Sequence, residues 1–252
     1  MATATKDIPT ATGQGSEAAS PEERLWAALD AEGYDSAVYG SELLRSMYEG
    51  ELAIAQRMML AHDVLVEVGV GTGKFAGPLS GNGYPVIGVD ISPTLLEVAK
   101  RRYPELLLIE GDGRRLSELL DPLPAANGRR LVACVLNSIG VVDAVIREAL
   151  VREMIRSSAG GSFLLAVFSA EHFHRGIAEF YGRSPQLCGP VRDGDADHIR
   201  HELRTTSSYF SHWFTVAEID DLLRAAGVRS YSVERCGVGL FFSGPIPKGA
   251  VR

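Results

Sequence analysis

The stretch Val64-Leu65-Val66-Glu67-Val68-Gly69-Val70-Gly71-Thr72-Gly73-Lys74 decides the fold of this 252-residue chain. An apolar segment leads directly into a glycine-rich turn, and Glu67 stands just before the first glycine. Glycine has no Cβ, so such a turn adopts positive φ and brings backbone N–H groups close to a ligand. The helix that follows points its positive end at the same place. The pattern predicts a nucleotide-cofactor site at the first strand of an α/β sheet.

The spacing of the glycines separates the possible cofactors. A dinucleotide site needs a third glycine where this chain has Lys74, because that glycine lets the helix pack closely against the strand. A Walker loop needs Ser or Thr after its lysine, and Phe75 follows Lys74 here, while Val68 replaces the leading glycine. The spacing that remains is an acid, Glu67, followed by three alternating glycines.

This spacing resembles the first motif of the class I S-adenosylmethionine (SAM) dependent methyltransferases. The cofactor of that family carries an ammonium group, so an acid beside the turn makes electrostatic sense. Three later segments agree in order: a second strand ending in Asp90, a third followed by Asp112, and a fourth, Leu131 to Leu136, followed by Asn137. The resemblance covers about residues 36 to 243 and is strongest from 64 to 140.

The resemblance implies a fold and a set of cofactor contacts. The fold is α/β: a three-layer Rossmann-like sandwich with N-terminal helices and a mostly parallel seven-stranded sheet that includes an antiparallel C-terminal strand. Asp90 would accept hydrogen bonds from the ribose hydroxyls, and Asp112 would lie beside the adenine amino group. The implied cofactor-binding residues are Tyr39, Glu67, Gly69, Gly71, Gly73, Asp90, Ile91, Asp112, Gly113 and Asn137.

Several of these residues also have an ordinary structural interpretation. An aspartate at a strand end often caps the next helix, and Asn137 would equally cap its turn. Tyr34 and Tyr39 would either close over the methionine end, where a tyrosine face attracts a sulfonium, or simply pack between helices. The sequence leaves these alternatives open.

The rest of the chain is predicted from capping and periodicity. Helices are expected from Ser20, interrupted at Gly33-Tyr34-Asp35, and from Ser41 to Ala61. Ser92 and Thr215 are expected to cap helices. The other expected elements are a helix over 142–157 and strands over 162–168, 203–209, 230–235 and 238–242.

Residues 169 to 201 are aromatic, rich in histidine and broken by proline and glycine, which predicts a lid or acceptor pocket. The candidate catalytic residues are Asn137, Tyr181, His172 and Ser208, although a lid histidine is often only solvated. His172 with His174, and His198 with His201, are spaced like zinc ligands. Neither pair has a third cysteine or carboxylate ligand at a defined spacing, so we predict no metal.

Composition limits the partners and the compartment. A formal charge of −7 and a pI near 5.4 disfavour nucleic acid. Three widely separated cysteines, and the lack of an apolar run long enough for a membrane span or a secretion signal, predict a cytoplasmic protein. We expect a disordered tail over 1–19, a single domain over 20–252, and a monomer or homodimer.

The predicted function is SN2 transfer of the SAM methyl group to a small-molecule acceptor in specialised or amino-acid metabolism. The sequence leaves two alternatives. In the first, the amine of SAM displaces methylthioadenosine and closes azetidine-2-carboxylate. In the second, the chain is a SAM-binding regulator without turnover.

Overall fold

The computed structural model describes residues 30–249, so the helix predicted from Ser20 and the tail over 1–19 lie outside the described residues. Ten strands occur in the described part of the chain. They are β1 Val64–Val68, β2 Val86–Asp90, β3 Leu107–Glu110, β4 Arg130–Cys134, β5 Ser162–Phe168, β6 Ala196–Asp197, β7 Glu202–Arg204, β8 Phe210–His212, β9 Ser232–Cys236 and β10 Gly239–Pro245.

Seven of these strands form one sheet in the order β3-β2-β1-β4-β5-β10-β9. Strands β1 to β5 are parallel, and β10 runs antiparallel to both β5 and β9. The predicted mostly parallel seven-stranded sheet with one antiparallel C-terminal strand is therefore confirmed. Because β1 is central, the turn after it lies at the middle of the sheet's carboxyl edge.

Helices cover both faces of the sheet. They are α1 Ala31–Tyr39, α2 Glu42–Met59, α3 Ala76–Ser80, α4 Pro93–Arg102, α5 Leu116–Leu120, α6 Ala144–Ser157, α7 Phe173–Arg175, α8 Pro185–Cys188 and α9 Val216–Ala225. Alternate β1 residues face opposite ways, with Leu65 in the apolar core under α1 to α4 and Val66 in the core under α5, α6 and α9. These two cores make the molecule a three-layer sandwich. No helix of the described residues has the length and apolar character needed to cross a bilayer.

The first described helix corrects one sequence prediction. The expected interruption at Gly33-Tyr34-Asp35 is wrong, because these residues lie inside α1. Asp30 begins this helix by accepting hydrogen bonds from the Glu32 and Gly33 backbone N–H groups. Asp35, a poor helix former, is buried there by contacts to Thr72 and Arg102, so tertiary contacts outweigh its low propensity.

The segment after β5 forms a compact insertion. It begins with the short helices α7 and α8 and a π-helical turn over Gly176–Phe180, and it continues into a separate three-stranded antiparallel sheet, β6-β7-β8. The single strand predicted over 203–209 is wrong: β7 ends at Arg204, and Ser208 adopts a φ of 66° in the turn before β8. The predicted caps are present, since Ser92 and Thr215 accept hydrogen bonds from the Leu95 and Glu218 N–H groups.

Candidate active site

A deep cavity opens at the carboxyl ends of β1, β2, β4 and β5 and encloses about 1210 Å³, its mouth included. Gly69, Gly71, Asp90, Ile91, Asp112, Gly113 and Asn137 all line it. Seven of the ten predicted cofactor-binding residues are therefore brought together by the sheet.

The glycine-rich turn provides backbone rather than side chains to the cavity. Gly69, Gly71 and Gly73 have φ values of 77°, 51° and 78°, which only glycine adopts without strain. A Cβ built on Gly71 would meet no protein atom within 4 Å, so this residue faces open space. At Gly73 a Cβ would lie 2.9 Å from the Tyr103 ring, so this glycine allows close packing of the turn against the end of α4.

Asp90 connects the end of β2 to the glycine-rich turn by hydrogen bonds. Its Oδ2 accepts a hydrogen bond from the Gly71 N–H at 2.8 Å, and its Oδ1 accepts one from the Ser92 N–H at 2.9 Å. Burial raises the pKa of the Asp90 carboxyl, and these backbone hydrogen bonds act in the opposite direction. A carboxylate held in this way keeps a fixed orientation toward the cavity.

Asp112 and its neighbours form the far end of the cavity. The Asp112 side chain accepts hydrogen bonds from the backbone N–H and the Nε of Arg114, at 2.8 and 2.7 Å. It therefore does cap the 3₁₀ turn Gly113–Arg115, as the structural alternative predicted. It also lines the cavity, so the two interpretations are compatible.

Asn137 joins three elements below the cavity. Its Oδ1 accepts from the Phe168 N–H at 3.0 Å, and its Nδ2 donates to the His212 carbonyl oxygen at 3.1 Å. Leu136 and Asn137 have φ values of 50° and 61°. Two successive non-glycine residues in this region are uncommon and strained, a condition that concentrates at functional sites.

Helix α1 is fastened over the cavity by a buried polar contact. The Thr72 hydroxyl donates to Asp35 Oδ1 at 2.6 Å, and Arg102 pairs with the other Asp35 oxygen. This contact connects α1 to the glycine-rich turn and to α4. As a consequence, Tyr34 and Val38 of α1 line the cavity.

The remaining wall comes from β5 and the insertion and is aromatic. Phe168, Phe180, Leu187 and Tyr209 line it, and each is at most 5% exposed. Among the described residues that line the cavity, the charged side chains are those of Asp90, Asp112 and Arg114, which all follow β2 and β3. The wall formed by β5 and the insertion is uncharged.

Tyr181 lies behind this wall and connects residues of the insertion by hydrogen bonds. Its hydroxyl donates to Ser211 Oγ at 2.7 Å and accepts from Trp213 Nε1 at 3.1 Å. The Tyr209 ring packs against the Tyr181 ring, with their centroids 5.9 Å apart.

Six of the predicted site residues do not line the cavity. Tyr39 contacts the Tyr48 ring edge-on at 5.1 Å, and Gly73 packs on Tyr103. Tyr181 is fully buried, His172 is half-buried in the insertion, and Ser208 is exposed. Glu67 is the sixth; it is buried, and its Oε2 has no hydrogen-bond partner among the described residues.

Sequence reasoning missed one buried acid near the turn. Glu51 of α2 is 0% exposed, and its Oε1 accepts a hydrogen bond from the Leu136 N–H at 2.7 Å. A signal was present, because Glu51 lies four residues after Met47 and three before Ile54, on the apolar face of α2. Among residues 30–249, no group of three or more His, Cys, Asp or Glu side chains has the arrangement of a metal site.

Comparison with known proteins agrees with this geometry. Residues 65–161 match a family model described as a methyltransferase domain. A demethylmenaquinone methyltransferase from Tropheryma whipplei is 25% identical over 216 residues, which cover 83% of this chain and 84% of that protein.

Two solved structures illustrate the similarity of fold. The CcbJ methyltransferase from Streptomyces caelestis superposes with a TM-score of 0.60 at 16% identity, covering 89% of this chain and 99% of that one. The magnesium protoporphyrin IX methyltransferase from Synechocystis was solved with bound S-adenosylhomocysteine (SAH). It superposes with a TM-score of 0.53 at 15% identity, covering 88% of this chain and 90% of that one.

The sheet order and the cavity at its carboxyl edge define a Rossmann-like protein that binds a nucleoside cofactor. The match of residues 65–161 to a methyltransferase domain agrees with the predicted resemblance to the class I SAM-dependent methyltransferases and supports SAM as the cofactor. The residues fit this cofactor, because Gly71 leaves open space at the turn and Glu67 Oε2 is a buried oxygen without a hydrogen-bond partner among the described residues.

Proposed function

We propose that this enzyme transfers the SAM methyl group to an uncharged, largely apolar small molecule. The observation that carries the proposal is the distribution of charge along the cavity. Charged side chains are confined to the end formed by Asp90, Asp112 and Arg114, whereas Phe168 and Phe180 belong to an uncharged wall. Burying a charged acceptor against such a wall would cost free energy that no partner there offsets.

We assign the charged end to the nucleoside. Asp90 would bind the ribose hydroxyls and Asp112 with Gly113 the adenine, which leaves the methionyl group beside Gly69, Gly71 and Asn137. The methyl group that SAM supplies is already activated by its sulfonium. The protein's main contribution is therefore to align the acceptor and to exclude water.

We place the acceptor against the wall formed by β5 and the insertion, and call this surface the acceptor wall. Tyr209 provides its hydroxyl group. Burial raises the pKa of its hydroxyl well above the ordinary value, so it stays protonated and is not a base. A neutral phenol oxygen has lone pairs that can accept a hydrogen bond from an O–H or N–H group of the acceptor. An aromatic ring that bears a neutral hydroxyl or amino group satisfies both features of the wall.

The names of two similar proteins are in keeping with a small acceptor. One is named for demethylmenaquinone and the other for magnesium protoporphyrin IX. The net charge of −7 further argues against a nucleic-acid acceptor.

The test is a set of matched acceptors incubated with SAM, with SAH formation as the measured product. Uncharged hydroxy- or amino-aromatic compounds are expected to yield SAH, and their carboxylated or quaternary ammonium analogues are not. Turnover restricted to the charged analogues, to nucleic acid or to protein would contradict the proposal.

The same assay includes a sample with SAM alone. Enzymatic release of methylthioadenosine there would support the cyclase alternative instead. Tight SAM binding with no product in any sample would support the regulator.

A further inference from the structure

The buried carboxyls of Glu51 and Glu67 have no counterion in the described chain. Both are at most 2% exposed, and the Oε2 atom of each is buried without a hydrogen-bond partner. None of the ion pairs among residues 30–249 includes either residue. An uncompensated buried acid is costly, and it is retained where it serves a ligand or a switch.

Glu51 of α2 and Glu67 of β1 both lie beside backbone segments that line the cavity. Glu67 ends next to the glycine-rich turn, and Glu51 Oε1 holds the N–H of Leu136 in the strained pair Leu136–Asn137. Gly69, Leu136 and Asn137 all line the cavity. The negative charge of Glu51 also raises the pKa of Glu67, so the carboxyls are near enough to interact.

We propose that Glu51 and Glu67 form an acidic pair behind the cavity surface at Gly69, Leu136 and Asn137, that its negative charge stabilises the α-ammonium group of the cofactor's amino-acid end, and that the pair gives up a proton when that group binds. Glu51 thereby also acts as a positioning residue, because it fixes the Leu136–Asn137 backbone. The inference rests on the SAM assignment but not on any acceptor.

Protonation follows from the surroundings of the pair. Burial raises the pKa of Glu51 to about 8, so its carboxyl holds a proton in the empty enzyme at neutral pH. A cation beside it favours the carboxylate and lowers that pKa. Binding of the ammonium group must then release a proton, and affinity must rise with pH.

The other titratable groups that interact with the pair are all acids, which are neutral when they hold their proton. They are Tyr34 and Tyr39 on α1, Tyr48 on α2, Asp90 on β2 and Cys134 on β4. Burial raises the pKa of every tyrosine in this group and that of Cys134, so they remain neutral between pH 6 and 8. The carboxyls are left as the groups whose charge can change.

Calorimetry in buffers of different ionisation enthalpy tests the proposal without any acceptor. SAM and SAH both carry the amino-acid end, whereas methylthioadenosine lacks it. We expect SAM and SAH to release close to one proton at pH 7 and to bind up to about tenfold more tightly per pH unit from 6 to 8. Methylthioadenosine should release none.

Two glutamine variants of α2 complete the experiment. Glu51→Gln keeps an oxygen that can accept from Leu136 N–H, so the fold is preserved while the titrating group is lost. Because Glu67 remains as a buried carboxyl, the variant should reduce the proton release relative to wild type, and it should weaken SAM binding by roughly tenfold at pH 8. Glu49→Gln, at an exposed position of the same helix, should change neither. Equal proton release by wild type and Glu51→Gln, or by SAM and methylthioadenosine, would overturn the proposal.

Discussion

The Asp90 carboxylate and the Gly71 backbone N–H are hydrogen-bonded at 2.8 Å, so the acid at the end of β2 is oriented by the turn that follows β1. Replacing Asp90 with alanine removes both this tie and the proposed ribose acceptor. We expect Asp90→Ala to weaken SAM binding by roughly one to two orders of magnitude, since a charged hydrogen-bond partner contributes about 1.5–3 kcal/mol. Titration calorimetry measures this change.

Asp121→Ala is the matched control, because Asp121 is exposed and does not line the cavity. Its affinity for SAM should equal that of the wild type. Unchanged affinity of Asp90→Ala would refute the ribose assignment.

Gly71 and Gly83 allow conformational strain to be separated from ligand exclusion. Both have positive φ, and a Cβ on either would meet no protein atom within 4 Å. Alanine at each should cost about 1–2 kcal/mol of unfolding free energy from the left-handed backbone alone. Only Gly71→Ala should also lose SAM binding, because Gly71 lines the cavity and Gly83 does not. Equal affinity of the two variants for SAM would show that the turn does not contact the cofactor.

Tyr209 provides a test of the acceptor wall. Tyr209→Phe keeps the aromatic ring and removes the oxygen that is proposed to accept from the substrate. The KM for an uncharged aromatic acceptor should rise by roughly tenfold, in line with one lost hydrogen bond, while the Kd for SAM stays the same. Steady-state kinetics and calorimetry measure the two quantities.

Tyr231→Phe removes a comparable hydroxyl far from the cavity, where Tyr231 donates to Asp220 at 2.5 Å. Its KM should match that of the wild type. A fall in SAM affinity on Tyr209→Phe, with KM unaffected, would place Tyr209 at the cofactor instead.

The burial of Glu51 predicts a pH-dependent stability. The pKa of Glu51 in the folded protein, about 8, lies above its ordinary value of 4.5, which represents the unfolded chain, so the folded state binds more protons between these values. The contribution of Glu51 to the free energy of unfolding is therefore complete below pH 4.5, and it is lost as the pH rises toward 8.

Glu51→Gln should flatten this decline of unfolding free energy between pH 5 and 8, as measured by urea denaturation without cofactor. Glu49→Gln is again the control and should keep the wild-type slope. If the two variants show the same slope, the Glu51 carboxyl does not titrate in this range.

Local signals predicted well which residues line the end of the cavity beside β1, β2 and β3. The glycine spacing, the acids at the ends of β2 and β3 and the caps Ser92 and Thr215 are each read within a few residues of sequence. The sheet then brings Gly71, Asp90 and Asp112 to one edge, because the carboxyl ends of parallel strands meet there.

The acceptor end depends on long-range packing and was less predictable. Ser208 was a candidate, yet it lies exposed, while its neighbour Tyr209 lines the cavity. Ser208 was expected in a strand but lies in the turn between β7 and β8 with a φ of 66°, and the sequence of an irregular insertion does not set which side chain of such a turn faces the cavity. In the same way Asp35, expected to interrupt a helix, is held inside α1 by Thr72, which no local pattern reveals.

The nature of the adenosine product tests the central claim most directly. The enzyme is mixed with SAM in the presence and absence of an uncharged hydroxy- or amino-aromatic acceptor, and the products are separated by chromatography with mass detection. Methyl transfer predicts SAH together with a product heavier by one methylene unit, formed only when the acceptor is present. Enzymatic methylthioadenosine from SAM alone, with no acceptor-dependent SAH, would contradict it.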